Sequence, residues 1–427
     1  MSRNGPPYPD RDRRGPPPDR NHDQQQSRDQ RHHDRPYPVP SGRSGPPPPR
    51  RDHRRNAPPP APIVRAGPVI LSIPVPTPDG APGPPVAVQQ PTELAVFSYD
   101  QHGQFHADAS SLRYWHPPAG YSAVAGQAGT AGTPFLHPSH PPPEPHLIDL
   151  NAQFDQYTPS ANGIEPLDNL LRGLVDGHVW PFNAGKDVHV VTLRGIATKF
   201  LCAPCDNHRD GWELGAVRYN GTVFIHEHVT AARRANEKAM KSDSRRARMV
   251  YWGYRFEQQC VLNTLPAEMA ESDRVRAEEE RRTTPVNAKA QFCSVFTTKI
   301  GSTRLVMGAE VDCCLDTTAT GKRHYVELKT NKCVCPPGDH RAWRAKLLRI
   351  WAQSFLAGVP TIMVGFRDND GVLVDMQELS TSDLPRMVRG SADAWDPMAC
   401  LRFAANALEK VREAVREEGV YYVREEM

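Results

Sequence analysis

The stretch GAEVDCCLDTTATGKRHYVELKT, Gly308 to Thr330, contains two strand-like runs, AEVDCCL and HYVELKT, separated by a polar linker. Successive strand residues point to opposite faces, so residues i and i+2 share a face about 6–7 Å apart. Glu310 therefore shares a face with Asp312, and Glu327 with Lys329, while Val311 and Leu328 pack behind them. The linker LDTTATGKRH is expected to close a hairpin that sets the two strands side by side. Three carboxylates and an ammonium then meet on one patch, where like charges raise one another's pKa unless a cation neutralises them. Oxygen donors of this kind suit Mg²⁺ or Mn²⁺ rather than zinc.

An acidic strand followed by E-h-K is also the active-site pattern of the metal-dependent PD-(D/E)xK nucleases. Asp312 would be the D, and Glu327-Leu328-Lys329 the ExK. In that chemistry the carboxylates hold metal that activates water, and the lysine steadies charge at phosphorus. The motif is short, and two charged strand faces turned to solvent would satisfy the same spacing.

Outward from this stretch, the last third alternates strand and helix patterns: QFCSVFTTKIG and STRLVMGAEVDCCL as strands, RAWRAKLLRIWAQSFLAG as a helix, PTIMVGFRD as a strand, and LRFAANALEKVREAVREEG as a closing helix. Lys346, Arg349 and Gln353 form a polar stripe on the first helix, opposite Trp343, Leu347 and Trp351, and such a stripe ordinarily faces solvent. Upstream, PLDNLLRGLVDG has helical leucine spacing with Gly177 as its stop. DVHVVTLRGIATKFL reads as a strand, which places Arg194 among apolar residues where it needs a carboxylate or an anion. WELGAVRYNGTVFIHEHV splits into a hairpin at Asn220-Gly221. YWGYRFEQQCVL reads as a short aromatic strand ending near Glu257.

Composition bounds the rest. The chain has 427 residues, 44 of them proline, and the prolines crowd the beginning. Residues 1–65 carry 14 arginines, no lysine and 7 aspartates, so the net charge of +3 hides a basic tail and a mildly acidic body. Residues 1–90 are too poor in aliphatic side chains to offset the entropy of ordering and are expected to be a disordered Pro/Arg-rich tail. A folded domain is expected over 91–427, with a long Pro/Gly loop at about 119–145. No apolar run reaches the length of a membrane span or a signal sequence, so an intracellular protein without a membrane partner is expected. Nine cysteines, an odd number with Cys313 and Cys314 adjacent, suit a reducing compartment. Cys202-x-x-Cys205 could pair with Cys333-x-Cys335 in a zinc site, but the second pair has the wrong spacing and neither is flanked by the usual knuckle glycines. The fold class expected is α/β, more fully mixed α+β, with central mixed sheets flanked by helices around a PD-(D/E)xK-like site.

TLRGIATKFL, DGWELGAVRYNGTVFIHE, WGYRFEQ, PVNAKAQFCSV, GAEVDC, YVELKT and WAQSFLAGVPTIMVGFRD, in that order, resemble the DXO family of RNA 5′-end decapping nucleases. Fungal members of that family partner the nuclear 5′–3′ exoribonuclease. The resemblance runs from about Thr92 to the C-terminus. It implies a metal site built from Glu257 (in Gly253-Tyr-Arg-Phe-Glu257), Glu310, Asp312, Glu327 and the Leu328 carbonyl, with Lys329 as catalytic lysine. Arg194 and Gln353 would contact the RNA 5′ end, with Arg113, Glu165 and Cys293 lining the substrate. It further implies a divalent cation, removal of pyrophosphate from 5′-triphosphate RNA, of incompletely methylated caps and of NAD caps, onward 5′–3′ cleavage, and a nuclear exoribonuclease partner in the nucleus. Two other readings remain open at this point. One is a PD-(D/E)xK nuclease acting on DNA, and the other is a non-catalytic stabiliser of an exoribonuclease.

Overall fold

The computed structural model describes residues 69–75, 83–121, 124–125, 147–160, 166–182, 188–205, 212–228, 234–235, 243–319, 321–333, 340–391, 394–417 and 419–426. Two mixed sheets organise the unit that begins at Ile63. The larger runs β1 (Val69–Pro74), β17 (Gly419–Glu426), β8 (Glu213–Tyr219), β9 (Thr222–Glu227), β7 (Val190–Leu193), β12 (Thr303–Glu310), β11 (Gln291–Ile300), β2 (Val88–Tyr99) and β3 (Phe105–His106) in spatial order. The smaller runs β10 (Val261–Leu262), β4 (Tyr114–Trp115), β13 (Cys313–Thr317), β14 (Arg323–Lys332), β15 (Thr361–Arg367), β16 (Val372–Ser380) and β5 (Val124–Ala125), with β6 (Ile148–Asp149) beside β16.

The helices are α1 (Asp168–Asp176), α2 (Arg194–Cys202), α3 (Ser244–Gln259), α4 (Glu271–Thr283), α5 (His340–Ala357), the short α6 (Leu384–Met387) and α7 (Pro397–Ala414). The largest apolar cluster joins α2, α5 and α7 to residues of both sheets, among them Val190, Leu305, Ile362 and Val364. A second cluster packs Leu167, Leu170 and Leu174 of the α1 region against Phe97, Val295 and Val306. A third sets Tyr251, Trp252 and Phe256 of α3 against Val326, Leu328 and Met363. Helices thus cover sheet faces much as the alternating patterns require, and the mixed α+β class with flanking helices holds.

The decisive stretch differs from its reading as one strand. β12 pairs with β11 and β7 and stops at Glu310; Val311 and Asp312 leave it, and β13 starts at Cys313 in the other sheet. The chain crosses between sheets here, because Val311 is an apolar plug: it is 4% exposed, its N–H donates to Phe292 O at 3.0 Å, and it clusters with Phe292, Ala309 and Tyr325. The hairpin is as expected: β13 and β14 run antiparallel with Cys313 opposite Val326, and Gly321 sits at φ 79° in the turn. β14 then connects through α5 to its parallel neighbour β15.

Three further local readings change. YWGYRFEQ lies in helix α3, since Tyr251, Trp252, Arg255, Phe256 and Gln259 are buried at helical spacing, and Asp243 caps the helix by accepting from the N–H groups of Arg245 and Arg246. The aromatic content that favours strands is satisfied instead by packing on β14 and β15. TLRGIATKFL is a strand only to Leu193, and Arg194 opens α2, whose Ile196, Ala197, Phe200 and Leu201 are buried together. Finally, β1 and the start of β2 fall inside the span 1–90 expected as tail, because β1 finds a partner in β17. Residues 1–68 and most of the 119–145 loop lie outside the described residues.

Gly365 of β15 lies beneath the Phe256 ring, where an added Cβ would collide with it. Gly365→Ala is expected to destabilise the protein by about 1–3 kcal/mol in urea unfolding, through overpacking. An unchanged midpoint would mean that α3 lifts from β15 at no cost.

Candidate active site

The crossing places Asp312 beneath β14. Its Oδ2 accepts the Leu328 N–H at 2.6 Å and lies 3.7 Å from Lys329 Nζ. Glu327 is 1% exposed and held from two sides: Arg194 Nη1, at the start of α2, donates to Oε2 at 3.1 Å, and Lys329 Nζ binds Oε1. Lys329 Nζ also donates to the Leu328 carbonyl at 3.2 Å. Leu328 anchors the group by packing its side chain into the α3 cluster.

Glu257 comes in from α3. With Glu310, Asp312, Arg113, Tyr254 and Gln258 it lines a cleft of about 760 Å³ that also takes in Glu280 and Arg281 of α4. Burial, then Asp312 and Glu310, push the Glu257 carboxyl well above its usual range, against the opposing pull of Lys329 and Arg113. Burial also raises Asp312, although Lys329, the Leu328 N–H and Arg194 oppose it. Burial would raise Glu327 too, but Lys329 and Arg194 outweigh it and bring this carboxyl down to about 2.

The donor set suits a hard divalent cation, since four carboxylates and a carbonyl offer only oxygen. The raised Glu257 marks a shortage of positive charge that such an ion would relieve. As placed, no three His, Cys, Asp or Glu side chains among the described residues are gathered to grip one ion; at Glu327, Arg194 and Lys329 are the counter-ions.

Residues 89–426 match the family model described as RAI1 like PD-(D/E)XK nuclease. The chain belongs to this family. It is therefore an enzyme of the nuclease class. The chain is 35% identical over 344 residues to the decapping nuclease RAI1 of Neurospora crassa, covering 79% of this chain and 76% of the relative. It is 33% identical over 370 residues to the human decapping and exoribonuclease protein, covering 84% and 81%. Among solved structures, Schizosaccharomyces pombe Rai1 (S. pombe) in complex with 3′-FADP superposes with a TM-score of 0.61 at 28% identity, over 81% of this chain and 93% of that one. Scheffersomyces stipitis Rai1 in complex with (3′-NADP)⁺ and calcium ion gives 0.66 at 25%, over 80% and 88%.

Glu257, Glu310, Asp312, Glu327, Leu328, Lys329 and Arg194 thus meet at the junction of β12, β13, β14, α2 and α3. Arg113 lines the same cleft and donates to Ala290 O at 3.2 Å. Cys293 stands opposite Glu310 in the β11–β12 register, but its side chain belongs to the apolar cluster under α1. Gln353 is half-buried on α5, two turns beyond Lys346. Glu165 lies outside the described residues. Tyr254 and Gln258 escaped the sequence reading; a helical period through Glu257 would have found Tyr254 three positions earlier.

Glu327→Gln, which leaves Arg194 and Lys329 short of a charge partner, is expected to cost about 3–5 kcal/mol in denaturant unfolding with divalent ions chelated. Glu257→Gln removes a carboxylate that its neighbours disfavour, and is expected to leave stability equal or higher. The reverse order would contradict this balance of charges.

Proposed function

We propose that this chain is a decapping nuclease that hydrolyses phosphoanhydride or phosphodiester bonds at RNA 5′ ends with a divalent cation, Mg²⁺ or Mn²⁺. Its substrates in this reading are 5′-triphosphate RNA, incompletely methylated caps and NAD caps, with 5′–3′ cleavage able to follow. The observation that carries the reading is the Asp312–Leu328–Lys329 clamp, whose Asp312 lines one cleft with Glu257, in a chain of this nuclease family. Support also comes from the relatives named for decapping and from dinucleotide ligands in Rai1 crystals.

Each residue then has a task. Glu257, Glu310, Asp312, Glu327 and the Leu328 carbonyl would hold the cation, which when bound supplies Lewis-acid polarisation of phosphate oxygens and water activation. Lys329 presents its ammonium on the same strand face as Glu327 and beside Asp312, placed to stabilise negative charge growing on the phosphorus oxygens. Arg194 fixes the Glu327 carboxylate from α2 and lends a second positive charge. Arg113 and Gln353 are assigned to the 5′ end. Cutting at the first or second phosphorus within one cleft yields pyrophosphate or an intact cap dinucleotide, which explains how one site serves several ends. Association with a nuclear 5′–3′ exoribonuclease, and the nuclear location it entails, belong to the same proposal through the family resemblance.

The test is a panel of RNAs differing only at the 5′ end, with a duplex DNA control, resolved by released product in Mg²⁺ or Mn²⁺. The wild-type chain is expected to release pyrophosphate, cap dinucleotide or the NAD moiety. Asp312→Ala, Glu327→Ala and Lys329→Ala are each expected to lose at least about 10²-fold in rate. Duplex cutting with inert RNA would end this reading in favour of a DNA enzyme.

A further inference from the structure

By spacing Lys346 belongs to the polar stripe of α5, yet its ammonium turns inward. It donates to the Thr330 carbonyl and, at 3.2 Å, to Asn331 Oδ1, just past Lys329 on β14. Among the described residues no carboxylate pairs with it; the charges it feels are those of Lys329 and Arg367, both of its own sign. Burial and those two cations lower the ammonium to about 8.

Arg367 ends β15 opposite Lys332, is 8% exposed and lies 4.2 Å above the Trp252 ring of α3. It donates to the Asp368 carbonyl at 2.9 Å; burial works against its charge, which the Asp368 side chain and Cys333 favour. Arg245, two turns before Trp252, is exposed and close enough for its charge to oppose that of Arg367. The cations Lys329, Lys346, Arg367 and Arg245 therefore follow one another from the catalytic cluster, round the ends of parallel strands β14 and β15, to the surface at the start of α3.

Such a series is costly to fold. A half-buried ammonium without a counter-charge loses hydration that two carbonyl contacts replace only in part. A neutral donor at 346 would tie α5 to β14 without the repulsion from Lys329. The cost is offset when an anion with repeated charges lies along the series. The cleft lined by Asp312 has the opposite character, with Glu257, Glu280, Glu310 and Asp312 in its walls against Arg113 and Arg281. Of the two surfaces, only the cationic series suits a polyanion on charge alone.

We infer that Lys346 and Arg245, with the buried Arg367 between them adding its charge from behind, form a binding track for the backbone phosphates of the single-stranded RNA that continues beyond the bond to be cut. This rests on the decapping-nuclease reading. Because contacts to phosphate carry no base information, the track binds without regard to sequence, and the affinity it adds grows with RNA length and falls with salt.

The test is equilibrium binding of the full-length chain, with divalent ions chelated, to a labelled trinucleotide and a labelled dodecamer carrying the same 5′ phosphate, across a salt series. Lys346→Met and Arg245→Ala are each expected to lower the slope of log K against log salt for the dodecamer by about 0.7, and the double variant by about 1.4. The trinucleotide should lose less affinity than the dodecamer in every variant. Lys346→Met is also expected to melt at or above the wild-type temperature, because it removes a repelled charge.

Slopes equal to wild type, or a lowered melting temperature with unchanged dodecamer affinity, would overturn the track and leave Lys346 as a tie between α5 and β14. The arginines of the N-terminal tail add to every slope equally and cancel in the comparison. In parallel, the wild-type chain is assayed for product release with divalent ions restored. Release with unchanged slopes removes the track alone, and failure to release anything from any 5′ end removes the decapping reading as well.

Discussion

One hydrogen bond, from the Leu328 N–H to the Asp312 carboxylate, joins the path of the chain to its chemistry. Asp312 lies where the backbone leaves the larger sheet, and Leu328 lies in the middle of a strand of the smaller one. The bond therefore fixes the seam between the sheets at the position where the acidic groups must meet. Val311 on one side and the Leu328 side chain on the other are buried in different apolar clusters. Packing thus holds both ends of the bond, and the carboxylate cannot turn away without disturbing one of the two cores.

Charge is distributed unevenly across this seam. Glu327 is fully compensated by Lys329 and Arg194, and its carboxyl is held near 2. Glu257 faces Asp312 and Glu310 with weaker support and is raised. One side of the site is thus rigid and ionised, and the other is short of positive charge, which is the side that opens to the cleft. An ion pair that positions a reactive group on the compensated side, next to a cation-hungry carboxylate, is a division of labour that a symmetric acidic cluster could not provide.

The alternation of Glu327 and Lys329, the hairpin that follows Cys313 and the turn at Asn220-Gly221 were all readable, because each depends on neighbours within a few residues. The residues around Glu257 were harder to read. Tyr251, Trp252, Tyr254 and Phe256 favour strands by composition, and only the burial of every third and fourth position on β14 and β15 makes the segment helical. The i and i+2 argument for Glu310 and Asp312 reached the right cluster by a wrong route. The two residues sit on either side of a crossing whose existence depends on the space between two sheets, and no local pattern encodes that space. Lys346 was misread for a related reason: α5 is apolar on much of its circumference and is covered on more than one side, so a polar residue on it need not face water.

The outermost pairing of the larger sheet joins Val69 to Tyr422. During translation β1 leaves the ribosome some 350 residues before its partner, roughly 20 to 70 s at ordinary elongation rates. Through that interval its backbone donors and acceptors have no strand to pair with, and β8 likewise lacks its neighbour in β17. The nuclease centre, made by elements between Arg194 and Lys329, can assemble while this edge is still open. Nascent chains would then be at their most adhesive after the catalytic half has folded, which gives chaperone capture a defined window late in synthesis.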